Sequence, residues 1–125
     1  MILPDGLTNL ANAQFQNCYA LTKVHLPDEL TAIPSNLLYS CYALASIVIP
    51  GGVTNIGENA FYKCYGVKVY DFTHCPAVPT LSNSNAFTGI AADCVINVPV
   101  SLVDTWKAAT NWSIYADQIV GVSAE

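Results

Sequence analysis

The pentapeptides NCYAL, SCYAL and KCYGV place cysteines at Cys18, Cys41 and Cys64, two equal intervals of 23 residues (41−18 and 64−41). The same interval governs much more of the chain. LPDGLT at 3–8 returns as LPDELT at 26–31 and as IPGGVT at 49–54. Leu10, Ile33 and Ile56 form one apolar column; Phe15, Leu38 and Phe61 a second; Leu21, Leu44 and Val67 a third. Val24, Ile47 and Tyr70 follow, then Leu26, Ile49 and Phe72. A period of this length with fixed apolar positions specifies a solenoid. A fourth turn is looser. Phe87 answers Phe61 and Val98-Pro99 restores the phase, but THCPAVPTLSNSN carries a small insertion and Ile90 takes the cysteine's place.

Each turn has a physical reading. In LTKVHLP, Val24 and Leu26 alternate with Lys23 and His25, the pattern of a short half-buried strand. The proline at its end stops the ladder, having no N–H to give. DGLTNL and GGVTNI are turn chemistry leading into a second short extended piece. SNLLYSC and GENAFYKC are expected to form one helical turn, with Phe61 and Cys64 on one side. A turn alone cannot fold. About six apolar anchors contribute roughly 1.5–3 kcal/mol each, against roughly 1–2 kcal/mol per residue for ordering the backbone. Stacked turns share hydrogen bonds and bury both apolar sides.

The pattern LPxxLTxIxxxAFxxCxxLxxIxL resembles the BspA-like leucine-rich repeat family over Leu3 to Pro99. The resemblance implies an α/β solenoid: a right-handed coil of about four turns, short parallel strands on one face, and a C-terminal helical cap. It divides the chain into a repeat domain at 1–98 (repeats about 3–25, 26–48, 49–72 and 73–98) and a cap at 99–125. From the residues, Ser101 with Asp104 three positions on is a capping-box-like start, and Leu102, Val103, Trp106 and Ala109 share one face of a helix over about 102–109. SIYADQI reads as a further turn and IVGV as a last extended piece. The period itself stops after Pro99. VPxSLVDxWKAATNWSxYADQIV is similar to the family's customary tail. At the other end residue 3 already stands in repeat phase, so either a longer protein precedes it or another molecule covers that face. The expectation is a fragment, with weak homodimerisation through the uncapped first turn as the other outcome.

Stacking disposes of the cysteines. Neighbouring turns lie about 4.7–4.9 Å apart, within disulfide reach, but three parallel thiols cannot all pair and their side chains point alongside one another. The column is core, where free cysteine behaves as a small hydrophobe. A Cys75–Cys94 disulfide stays open. Tyr19, Tyr42 and Tyr65 form an adjacent ladder, partly exposed on the convex flank, either covering that flank or serving as a contact strip.

Charge narrows the partners. The net charge is −5, arginine is absent, and Lys23, Lys63, Lys68 and Lys107 are scattered, a poor basis for neutralising phosphates. Nucleic acid and anionic membrane surfaces are therefore not expected. Only 10% of residues are charged and 53% are hydrophobic, yet no apolar run approaches the ~18 residues of a spanning helix. MILPDGLTNL lacks the basic-then-apolar order of a signal peptide.

Catalytic chemistry is not expected either. His25 is an outward strand residue, and His74 is adjacent to Cys75 in a loop, not opposed to it as a base must be. No zinc-protease, nucleophile-elbow or phosphate-loop motif occurs, and neither metal nor cofactor is implied. Asp28-Glu29 reads as a solvated turn, and Asn111-Trp112-Ser113 is a glycosylation pattern only in a secretory setting. What remains is the outward strand face: Lys23 and His25, Ser46 and Val48, Val69 and Asp71, Val95 and Asn97. Its valines read either as a partner-binding patch or as plain strand formers. With the resemblance, the expected function is a non-catalytic protein-binding or adhesion module of a larger, bacterial, cell-surface or extracellular protein, with a host or matrix protein as ligand. The alternative is a spacer array with no ligand of its own.

Overall fold

The computed structural model describes residues 10, 12 and 15–123. The N-terminal part of the first repeat, with the expected open face and the dimerisation expected through it, lies outside those residues.

Seven short strands form two parallel sheets. Strands β1 (Ala32–Ile33), β3 (Asn55–Ile56) and β5 (Thr80–Leu81) make a three-stranded sheet. Strands β2 (Ser46–Val48), β4 (Val69–Asp71), β6 (Val95–Pro99) and β7 (Ile119–Val122) make a four-stranded one. Successive turns of the chain contribute one strand to each sheet, the arrangement of a solenoid-like repeat fold. Register follows the period. Ile47 pairs Tyr70, Tyr70 pairs Ile96, and Ile96 pairs Ile119. All four are buried, so their sequence neighbours fall on the opposite face. The first expected strand is reduced to a single bridge at His25, although Val24 and Leu26 are buried between exposed Lys23 and His25 as the alternation predicts.

The expected helical turn is not a helix. Between the sheets the chain makes consecutive β-turns: Leu37 N–H to Pro34 O, Tyr39 to Asn36, Cys41 to Leu38, and the same series from Ala60 to Gly57 onward. The cause is a set of left-handed residues: φ is 62° at Asn17, 61° at Ser40 and 60° at Lys63 just before each cysteine, 60° at Asn36 and 59° at Asn59 earlier in the same rows, and 87° at Gly89 in the fourth turn. A left-handed residue breaks an α-helix and frees its own N–H for the next turn. Ser40 N–H donates to Tyr62 O at 2.7 Å and Lys63 N–H to Thr88 O at 2.7 Å. Turn-to-turn hydrogen bonding thus continues outside the strands. Because the left-handed conformation costs an L-residue about 1–2 kcal/mol, and glycine's extra unfolded-state freedom returns about 0.4–1 kcal/mol of that, Ser40→Gly is expected to raise stability by roughly 0.5 kcal/mol in urea titration.

After Pro99 a 3-10 turn (Val100–Leu102) runs into helix α1 (Val103–Ala108), and a second 3-10 segment (Ser113–Gln118) leads to β7. Ser101 is not a helix cap. It lies inside the 3-10 turn, and Leu102 occupies the N-cap with no side-chain bond, because the chain begins to coil directly from Pro99. The expected apolar face holds: Trp106 is buried and Leu102, Val103 and Ala109 pack against the core. The motif lapses here, but the spacing does not. Ile119 pairs with Ile96, again an interval of 23 (119−96), so this segment has the residue length of one more turn although its path is helical. Phe72, Phe87, Trp106 and Trp112 interlock at its base, with Phe72–Trp112, Phe87–Trp112 and Trp106–Trp112 centroids all 5.4 Å apart.

Candidate binding face

The buried column of the four-stranded sheet fixes what lies on its other side. Ser46, Val69 and Val95 align in one outward row; Val48, Asp71 and Asn97 align in the next. Six of the eight expected face residues are thereby in one register. Lys23 and His25, both exposed, precede the Ser46 and Val48 positions by the same period. The rows are not uniform. Ser46 is exposed and Val48 retains 48% of its surface, whereas Val69, Asp71, Val95 and Asn97 are half-buried. Asp71 is also engaged: one carboxylate oxygen accepts from Thr73 N–H at 2.9 Å and Thr73 Oγ1 at 2.6 Å.

The face extends further than the sequence repeats indicate. Val120 pairs with Asn97 and Val122 with Pro99, and these valines are 42% and 36% exposed. They escaped the periodic reading because α1 replaces the repeat motif between the two strands. Two clefts line the C-terminal ends of the strands. One, of about 400 Å³, gathers His25, Asp28, Val48, Pro50, Gly51 and His74, and so contains both histidines of the chain. The other, of about 360 Å³, is bounded by Thr73, His74, Pro99, Val100 and Val122. His74, which the sequence placed only in a loop, stands between them. Among the described residues no three His, Cys, Asp or Glu side chains come together as a metal site.

The thiols belong to the interior. Cys41 Sγ donates to Phe15 O at 3.2 Å and Cys64 Sγ to Leu38 O at 3.1 Å, each reaching the preceding turn. Burial pushes Cys41 up to about 11 and Cys64 up to about 12, the neighbouring thiol adding to the effect. Burial likewise raises Cys75 and Cys94 to about 11. Neither is bonded: Cys75 Sγ approaches Pro50 O, Cys94 Sγ approaches Val95 O, and all five cysteines are free. A buried thiol is a poor nucleophile. Cys18, only half-buried, is expected to take up a thiol reagent on the order of a hundredfold faster than the other four, which mass-resolved labelling of the native protein would check.

The Tyr70 hydroxyl is fully buried near Cys64, Cys94 and Tyr115, and its contact with the Cys64 thiol falls short of good hydrogen-bond geometry. Burial first, and the Cys64 thiol second, hold it well above the usual phenol value. A buried hydroxyl with so poor a partner is a cost, so Tyr70→Phe is expected to leave stability unchanged or raise it by about 1 kcal/mol in thermal unfolding.

On the turn side, Tyr19, Tyr42 and Tyr65 do form the expected ladder, stacked at 5.0 and 5.5 Å with rings within 10° of parallel. A second stack, Tyr39 on Tyr62 at 4.7 Å, was not foreseen; its two members stand one period apart (62−39 = 23). Gly89 closes the longer ladder, because a Cβ there would meet the Tyr65 ring at 2.7 Å. Asn111 in the Asn-Trp-Ser sequence donates its side-chain N–H to Leu81 O at 2.7 Å and is held in the left-handed conformation. It ties α1 to the repeats.

These features define a repeat protein with a parallel-strand face and no assembled catalytic group among the described residues. A family model for the BspA type leucine rich repeat region (6 copies) matches residues 1–91. The chain belongs to that family, whose leucine-rich repeats generally mediate protein–protein interactions. No curated protein matches the chain. Among the described residues no helix is long and apolar enough to cross a membrane.

Proposed function

We propose that the protein is a non-catalytic protein-binding module acting in adhesion, and that its ligand lies across the outward face of the four-stranded sheet. The ligand surface comprises Lys23, His25, Ser46, Val48, Val69, Asp71, Val95 and Asn97, extended by Val120. In this reading residues 1–98 form a right-handed coil of about four turns and residues 99–125 close it as a helical cap. The partner is a host or matrix protein met at the bacterial cell surface or outside the cell. The observation that carries the reading is the alignment of outward rows across β2, β4, β6 and β7, with Val48 and Val120 nearly half exposed. Aligned rows make one extended surface, and apolar positions within it favour a partner over solvent.

The test is binding of the immobilised protein to a panel of matrix and cell-surface proteins, with His25→Glu and Val48→Glu as probes. Both sites are exposed, so stability should change by less than about 0.5 kcal/mol. Saturable binding to one panel member, weakened about tenfold by either substitution, is expected. If no member binds, the spacer reading takes its place; if both variants bind as the parent does, the ligand lies elsewhere than on the sheet face.

A further inference from the structure

The turns carry oxidisable side chains that neither the core nor the sheet face uses. Tyr19 lies on Tyr42 with ring centroids 5.0 Å apart and planes 10° from parallel. Tyr42 lies on Tyr65 at 5.5 Å and 8°. All three are exposed. Backbone hydrogen bonds between turns bracket the first pair: Asn17 N–H donates to Tyr39 O at 2.8 Å, and Ala45 N–H to Thr22 O at 3.3 Å. The main chain therefore holds the two rings together. Both side chains leave equivalent positions one period apart (42−19 = 23), and their planes are parallel. The ring carbons ortho to the hydroxyls thus lie alongside one another. Those are the carbons at which two phenoxyl radicals join.

The other tyrosines are less suited. Tyr65 packs against the fourth turn, where a Cβ at Gly89 would lie 2.7 Å from Cε1, one of its two ortho carbons. Tyr39 and Tyr62 stack more closely, at 4.7 Å, but both are half-buried. Lys63 Nζ also stands 5.5 Å from the centre of the Tyr62 ring. A cation attracted by the ring's electrons opposes the removal of one of them. Tyr70 and Tyr115 are buried. That leaves Tyr19 and Tyr42.

We propose that Tyr19 and Tyr42 form a site of oxidative cross-linking, joined through their ortho carbons by a haem peroxidase acting with hydrogen peroxide. The oxidised haem takes one electron from each phenol, and each hydroxyl proton leaves with it. The two phenoxyl radicals form one carbon–carbon bond. The hydrogen on each joined carbon then moves to the phenol oxygen and restores the aromatic ring. In all, two protons and two electrons leave the protein, and one peroxide is reduced to two waters. The product ties two successive turns covalently. Neither ring belongs to the proposed ligand surface, so this goes beyond the binding reading and does not depend on it.

The test treats the dilute native protein with a haem peroxidase and one equivalent of hydrogen peroxide. Product is followed by dityrosine fluorescence and mass spectrometry. Cleavage after lysine leaves Tyr19, Tyr42 and Tyr65 on three different peptides, 1–23, 24–63 and 64–68, and fragmentation of the linked peptides places the bond. The expected product is a monomer lighter by two hydrogens, with 1–23 joined to 24–63 at Tyr42. Its yield should not depend on protein concentration, because rings already held together react as a unimolecular pair. Tyr42→Phe, at an exposed position and still bearing a ring, should abolish dityrosine in the monomer. Four outcomes would each overturn the proposal: no dityrosine, cross-links between molecules only, a main product linked at Tyr65 or between Tyr39 and Tyr62, or oxidation of the half-buried Cys18 in place of the rings. Binding through the sheet face is read separately with His25→Glu and Val48→Glu, so either reading can fail without the other.

Discussion

Above pH 9 the protein is expected to lose stability steeply and to unfold before its buried thiols ionise. The ordinary thiol value is 9.0, whereas burial raises Cys41, Cys75 and Cys94 to about 11 and Cys64 to about 12. Below pH 9 all four are protonated in both states, and their contribution is fully present. As pH rises past 9 the unfolded chain releases protons that the folded chain retains, so stability falls until the folded values are reached. Each thiol contributes about 1.4 kcal/mol per pH unit in that window, and four together on the order of 5 kcal/mol per pH unit. A small domain has about 5–15 kcal/mol in all. Tyr70 and Tyr115, also raised by burial, act in the same direction. Circular dichroism and the thiolate absorbance of the four buried cysteines should therefore change together as pH is raised under reducing conditions, and Cys64→Ala should make the fall of stability with pH shallower by about 1.4 kcal/mol per pH unit. More than one thiolate appearing near pH 9 with the fold intact would show that the buried cysteines are open to water.

The second large effect is at the base of the C-terminal segment. Trp112 is 1% exposed, packs on Phe72, Phe87 and Trp106, and donates its indole N–H to Pro79 O at 2.9 Å. Trp112→Ala is expected to cost about 3–5 kcal/mol, and the Pro79 carbonyl left without its donor about 1 kcal/mol more. That is a large fraction of a small domain's stability. Ile114→Ala, in the same segment but at a side chain 66% exposed, should change stability by less than about 0.5 kcal/mol. Urea midpoints of the two variants decide the matter. A loss below about 1 kcal/mol for Trp112→Ala would mean that the repeats hold without residues 99–125, and the cap reading would go with it.

What was legible in the sequence was whatever repeats. The inward column Val24, Ile47, Tyr70 and the buried Cys41 and Cys64 follow from periodicity, because burial recurs where apolar side chains recur. The tyrosine ladder follows from the same count. Backbone conformation was less legible. Asn17, Asn36 and Asn59 are of a type that tolerates a left-handed φ, but Ser40 and Lys63 give no sign of it, so a row of β-turns read as a helical turn. The face was half legible. The Ser46 and Val48 rows could be counted from the period, but Val120 enters through a helical path of equal residue length that carries no motif. The His25–His74 cleft depends on the insertion after Phe72, whose course no count of 23 describes.

The stacked phenols have a spectroscopic consequence. Tyr19 on Tyr42 and Tyr42 on Tyr65 lie within 5.5 Å and nearly parallel, close enough for their electronic transitions to couple. Each coupling exists only while two particular turns remain in contact. Replacing one phenol at a time by a weakly absorbing phenyl ring, through Tyr19→Phe or Tyr65→Phe, assigns each component of the near-ultraviolet signal to one junction. The protein thus carries an intrinsic gauge of whether its turns separate in succession or all together, with no label attached.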